Sequence, residues 1–316
     1  MPLVTETDAS LDRKLLWASS GAVILGLLLM SVFGGLAYAG AAALLAIVLF
    51  TPIYLTGSSS QRAALFHRLI DRRDLAAMGA IYLLVIAFYR IAFVVINNND
   101  LLLFLSFAVG LLIGVAGPIV YTVWMRKRSL ASLGLSMTNL PRVAVVALIF
   151  AAVQFAITLW GYALPRQQDW ITLLGMALMV GVFESIFFRG FIQGRLQASF
   201  GTAPAVFGSA ILYGAYHVGY GMGLEEIVFL SGLGIVYALA YLTMENVLVM
   251  WPLLTPLGSL FAQLESGTLA GRLPWAALLG FADVIAVMAT IIWLAHRHER
   301  KRHAVTVTQS PLVTTR

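Results

Sequence analysis

Residues 181–217 read GVFESIFFRGFIQGRLQASFGTAPAVFGSAILYGAYH: an apolar helix, a short polar break, and a second apolar helix. Three ionisable side chains, Glu184, Arg189 and His217, lie inside stretches apolar enough to cross a membrane. Even on a lenient insertion scale a charge at mid-membrane costs about 2.5–3.5 kcal/mol, so such residues mark a functional site or a buried structural pair. The break at Gly201-Thr202-Ala203-Pro204 predicts a hairpin, with Thr202 capping the second helix and Pro204 in its first turn. Glu184 lies seventeen residues before Gly201, and His217 sixteen after it. At 1.5 Å per residue each is roughly 24–25 Å from the turn, so facing antiparallel helices place the two at one depth. Arg189, five residues beyond Glu184, would be turned about 140° away from it on an ideal α-helix.

The rest of the chain fits a membrane protein. Of 316 residues, 60% are hydrophobic and 11% charged, against about 25% charged in soluble domains. The expected fold is all-α, a polytopic transmembrane bundle of about 8–10 spans. The ten-span reading places helices at about 15–34, 38–56, 75–96, 101–125, 141–164, 170–200, 204–220, 224–244, 247–264 and 275–296. Four segments follow: 1–14, an N-terminal segment; 15–139, N-terminal membrane helices; 140–296, the domain with the hairpin; and 297–316, a basic tail read as disordered. Met1 to Ser10 lacks a basic n-region and a small-residue cleavage site, so no removed signal is expected.

Cysteine is absent, which excludes disulfides, thiolate metal sites and a cysteine nucleophile. The net charge of +6 reflects topology. Sixteen of the twenty Lys and Arg residues fall on the side holding both termini, Arg166 and Arg272 lie opposite, and Arg90 and Arg189 lie within spans. The positive-inside rule then puts both termini in the cytoplasm of a plasma (inner) membrane protein and argues against nucleic acid as a partner.

A Glu and a His at one level suit general acid–base chemistry: Glu184 activates water, and His217 orients a carbonyl or protonates a leaving amine. Zinc fits less well, because a catalytic site takes three protein ligands and these are two. Ser185 can add a hydrogen bond. Asp283 and Arg90 are charges in other spans; snorkelling suits Arg90. Gly194 suggests close helix packing, and Glu225-Glu226 a favourable acidic pair at a helix N-terminus.

The run Glu184-Ser-Ile-Phe-Phe-Arg189-Gly190 resembles the Glu-Glu-x-x-x-Arg-Gly motif of the CAAX protease and bacteriocin-processing family, also called the Abi family. Tyr213-Gly-Ala-Tyr-His217 resembles its second motif, Phe-x-x-x-His, with tyrosine in place of phenylalanine. The resemblance covers about residues 140–265. It implies a multi-pass intramembrane endopeptidase acting on a membrane-bound or prenylated peptide, with Glu184 and His217 catalytic, Arg189 supporting and Tyr213 walling the site. Zinc enters by the family label alone. Ser185 replaces the second Glu of the pair. The third motif, His-x-x-x-Asn, would fall at about Pro256 and Leu260, which carry neither residue. Thr255, Ser259 and Gln263 recur there at i, i+4 and i+8 and would supply hydrogen bonds to an oxyanion or join helices. The missing motif keeps a second reading open, an inactive relative acting as a membrane scaffold, immunity factor or regulator. A transporter using Glu184 and His217 as a proton relay ranks third, since no internal repeat is visible.

Overall fold

A computed structural model describes residues 13–66, 69–95, 108, 110–160, 170–250 and 275–308. Among them the chain is helical throughout and contains no strand. The helices are α1 (Arg13–Leu29), α2 (Gly35–Thr56), the short α3 (Ser59–Leu65), α4 (Arg72–Val95) and α5 (Leu112–Met125). A 3-10 turn at Leu130–Leu133 leads to α6 (Leu140–Thr158). Helix α7 runs from Trp170–Glu184 through a π-helical Ser185–Gln193 to Gly194–Phe200. Then come α8 (Thr202–Ala215), extended by a 3-10 turn at Tyr216–Tyr220, α9 (Leu224–Met244), a 3-10 turn at Val247–Val249, and α10 (Trp275–Thr308). Five of the described helices are long and apolar enough to cross a membrane, and Leu15–Leu29 and Leu112–Met125 are shorter apolar helices. This is a multi-pass, all-α membrane protein.

Two helices form the centre. In α7 the segment Ala177–Phe200 is 78% buried and α9 is 61% buried, whereas α2, α4 and α6 bury 17–22% of their apolar windows. Helix α9 packs against α8 on one side and α1 and α2 on the other. Small residues allow this: Gly214 sits against Ile227 and Ser231 of α9, and Gly232 against Ala39 of α2, the close backbone approach that holds membrane helices together.

The chain departs from the expected reading at its helix ends. Gly201, at φ 90°, ends α7 and opens α8, and no side chain caps α8. Thr202 instead donates to the Ala64 carbonyl (3.3 Å) and accepts from Gln197 (3.2 Å), tying the hairpin to α3. The acidic pair behaves as expected: Glu226 accepts from the Gly223 amide at 2.7 Å and closes the start of α9. The basic tail is helical as far as Thr308. Tertiary contacts hold it, because His298 stacks on Trp124 (5.9 Å between centroids) and Glu299 accepts from the Leu130 amide at 2.5 Å. The ninth span, apart from its start at 247–250, lies outside the described residues, as do the turn at 97–100, the stretch 165–169 and the chain before residue 13.

One end of the bundle is fastened by charge. Asp71 caps α4, accepting from the amides of Arg73 (3.1 Å) and Asp74 (3.2 Å). Asp74, 2% exposed, accepts from Tyr121 at 2.8 Å and from Arg128 at 2.5 Å. Arg126 approaches Asp74 at 3.0 Å and also pairs with Asp71, and Arg195 of α7 stands 3.8 Å from Asp74. The start of α4, the end of α5 and the end of α7 therefore share one face of the membrane domain, as the charge asymmetry predicts.

Beside this cluster, the segment after α5 lies against the π-helical part of α7. A Cβ built on Gly190 would collide with the backbone oxygen of Leu133, whereas one on Gly194 would meet only the Ser132 oxygen at 3.9 Å. The close approach expected at Gly194 is therefore made at Gly190. Gly190→Ala is expected to lower stability by about 1–3 kcal/mol, because a backbone atom cannot move aside cheaply. Gly194→Ala should be tolerated. Melting of the two variants in detergent checks this, and equal losses would remove the explanation.

Candidate functional site

The site is built where α7 faces the end of α8. Glu184 is the last α-helical residue before the π-helical part of α7 and is 3% exposed. Its two carboxylate oxygens accept from two tyrosines of α8 and its extension: Tyr216 at 2.6 Å on Oε1 and Tyr213 at 3.1 Å on Oε2. Charge-assisted hydrogen bonds of this kind hold a buried carboxylate in one orientation. His217 stands one residue on, its Nδ1 2.9 Å from the Tyr213 carbonyl. A carbonyl can only accept, so Nδ1 carries a proton, and in the neutral ring Nε2 keeps its lone pair. The His217 ring rests on Tyr216, 4.0 Å between centroids, and approaches Tyr213 edge-on at 5.4 Å. Tyr213 thus joins the two titratable side chains, its hydroxyl on Glu184 and its carbonyl on His217. The structure brings Glu184, His217 and Tyr213 together, with tyrosine as the bridge between the Glu and the His.

Arg189 lies on this side too, because of the π-helix. An i→i+5 ladder stacks residues five apart nearly in line, so the 140° turn of an ideal α-helix does not apply. Its guanidinium lies over the Tyr213 ring, 5.3 Å from the centroid, a cation–π contact strengthened by burial. Nη1 donates to Gln193 (3.4 Å) and to Ser209 of α8 (3.3 Å), while Nε and Nη2 have no hydrogen-bond partner among the described residues. Arg189 is 0% exposed, so it does not snorkel. Gln193 is oriented in turn by donating to the Ala238 carbonyl of α9 at 3.0 Å. Ser185 is buried, and its hydroxyl makes no hydrogen bond among the described residues. Thr255, Ser259 and Gln263 lie outside the described residues. Asp283 is on α10, with its side chain outside the described set.

Sequence reasoning missed Tyr216, Gln193 and Ser209. For Tyr216 a signal was present: Tyr213, Tyr216 and Tyr220 recur at i, i+3 and i+7, one helix face. Tyr220 and Tyr89 of α4 extend that face, with ring centroids 4.6 Å apart. For Ser209 no signal existed, since its partner lies twenty residues away across the hairpin.

The described residues do not furnish a zinc set. Glu184 has both oxygens engaged by tyrosines. Among the described residues no three His, Cys, Asp or Glu side chains cluster to hold an ion, where a catalytic zinc takes three.

Comparison with known proteins gives a match to a protein family. A family model described as type II CAAX prenyl endopeptidase Rce1-like matches residues 165–253, the segment holding α7, α8 and α9. The match is local, leaving α1 to α6 and α10 outside it. No curated protein and no solved structure matches the chain.

Proposed function

We propose that this protein is an intramembrane endopeptidase that hydrolyses a peptide bond of a membrane-bound or prenylated peptide. The observation that carries the reading is Glu184, a buried carboxylate fixed by Tyr213 and Tyr216 beside His217. The local likeness of residues 165–253 to a CAAX endopeptidase family supports it. In this reading Glu184 is the general base. As the oxygen of water bonds to the scissile carbonyl carbon, one water proton passes to the carboxylate. Collapse of the tetrahedral adduct breaks the C–N bond, and the proton passes to the leaving nitrogen. His217, with its lone pair on Nε2, accepts a hydrogen bond from the same water and aligns it. Tyr213 and Tyr216 keep the carboxylate oriented, and Arg189, through the Tyr213 ring, steadies that tyrosine. No step is assigned to a metal.

The test is hydrolysis of a prenylated membrane peptide by the purified protein in liposomes, run in oxygen-18 water. The expected result is one labelled carboxylate at a single cleavage position, with the rate in His217→Ala reduced by roughly 10²-fold. Equal rates in wild type and His217→Ala would sink the reading.

One observation favours a second reading. Both oxygens of Glu184 are already occupied by hydroxyls, the arrangement of a carboxylate that locks two helices. A catalytically silent relative serving as a scaffold, immunity or regulatory protein would cleave nothing, copurify a specific partner, and keep that partner in Glu184→Gln.

A further inference from the structure

Helix α10 is longer than a membrane is thick. Its 34 residues run from Trp275 to Thr308, about 51 Å of axis, against a hydrocarbon layer of about 30 Å. Trp293 stands eighteen residues after Trp275, about 27 Å along the helix, where a span ends and tryptophan prefers to sit. The chain leaves the apolar layer there and stays helical because one face is docked. Ala295 is buried, His298 stacks on Trp124, and Glu299 accepts from the Leu130 amide. The opposite face is bare. Trp293 is 56% exposed, and Arg297, Arg300 and Lys301 follow it at i+4, i+7 and i+8, all exposed and on one side of the helix. The Arg297 guanidinium lies over the Trp293 ring, 5.4 Å from its centroid, so the indole sets its position. Among the described residues none of these three cations has an ion-pair partner. On the apolar side of Trp293 the same face carries only small exposed residues, Ala286, Ala289 and Thr290, flanked by the bulkier Ile285 and Val287.

We propose that this face of α10 binds an anionic phospholipid of the adjoining leaflet, its phosphate held by Arg297 and Arg300 and an acyl chain laid along Ala286, Ala289 and Thr290. Arg297 and Arg300 lie about 6 Å and about 10 Å past Trp293, the depth of the headgroup layer. A guanidinium presents paired donors matched to phosphate oxygens, and Lys301 adds a point charge beside them. The preference for a net negative lipid follows from charge. Glu299, the acid between residues 294 and 308, is turned to the Leu130 amide and neutralises none of the three. A zwitterionic headgroup would bring its own ammonium against them and lose that attraction. An acidic protein would satisfy the cations but not the exposed indole and the small-residue track, which lie in the apolar layer. Helix α10 lies outside the segment that matches the endopeptidase family, and the site does not depend on Glu184 or on hydrolysis.

The experiment titrates the full chain in neutral detergent with phosphatidylglycerol or phosphatidylcholine and measures bound lipid by native mass spectrometry. Phosphatidylglycerol is expected to bind roughly tenfold to thirtyfold tighter, about fivefold for each cation engaged. The double variant Arg297→Gln, Arg300→Gln should bring that ratio close to one. Both side chains are exposed, so the variant keeps its fold. Arg142→Gln removes an exposed cation from the start of α6 and should leave the ratio as it is. Equal binding of the two lipids by the wild type overturns the proposal, as does a ratio that survives the double variant. An equal fall in Arg142→Gln would mean diffuse attraction to a basic surface and overturns it too. Phosphatidylglycerol with brominated acyl chains locates the site. It should quench a larger share of tryptophan emission in the wild type than in Trp293→Phe, and equal quenching in the two places the lipid elsewhere. If hexaglutamate displaces phosphatidylglycerol at equal concentration, the face is a dock for an acidic protein and the proposal fails.

Discussion

Glu184→Gln is expected to reduce peptide hydrolysis by about 10²–10⁴-fold, the contribution of a positioned general base, while leaving the melting temperature near that of the wild type. The two halves of this result are separable because of how the side chain is held. Tyr216 and Tyr213 each donate one hydroxyl to the carboxylate, at 2.6 and 3.1 Å. A glutamine keeps the shape and one acceptor oxygen, and its amide can donate to the second tyrosine once that hydroxyl rotates. The fold survives, but the group can no longer take a proton. Glu184→Ala differs, since it strands two buried hydroxyls at about 1–3 kcal/mol each and so mixes chemistry with stability. Rates and melting curves for both variants separate the effects. A glutamine variant that cleaves within threefold of the wild type would mean that Glu184 is not the base, and its role would then be the helix lock of the second reading.

Asp74→Ala is expected to be the most destabilising single change, by about 3–5 kcal/mol, the cost of breaking a buried ion pair. Asp74 is the acceptor around which Tyr121, Arg128, Arg126 and Arg195 gather. Removing it leaves Arg195, 4% exposed, facing two other arginines at the junction of α4, α5 and α7. The neighbouring Asp71 is the control. Its side chain is 34% exposed, and it acts mainly as the N-cap of α4, so Asp71→Ala should cost about 0.5–2 kcal/mol. In detergent the Asp74 variant should melt on the order of 10 °C lower than the wild type, with a clearly smaller shift for Asp71. If the two variants melt alike, the cluster is a surface network and not a buried fastening.

The apolar runs, their lengths and the one-sided distribution of Arg and Lys dictate an all-α, multi-pass protein by themselves, because lipid allows few alternatives for an unpaired backbone. The hairpin around Gly201 was legible for the same reason. Counting residues along two antiparallel helices brings Glu184 to about the level of the segment that carries His217, and in the structure Glu184 accepts from Tyr216, the residue before His217. Tertiary structure decided what rotation and side-chain reach control. The π-helical turn at Ser185–Gln193 carries Arg189 round to the Tyr213 ring, and no α-helical periodicity contains that turn. Gly190, not Gly194, takes the close approach because the Leu133 carbonyl happens to lie there. Asp74 gives no signal in the sequence, because Tyr121, Arg128 and Arg195, which converge on it, are remote along the chain. The turn after His217 folds against α4 and leaves a pocket beside Arg90, a juxtaposition that no spacing in the sequence contains. Composition and helical rise fix depth in the membrane. Which groups meet at that depth depends on the azimuth of each helix, and that is set only when the helices pack.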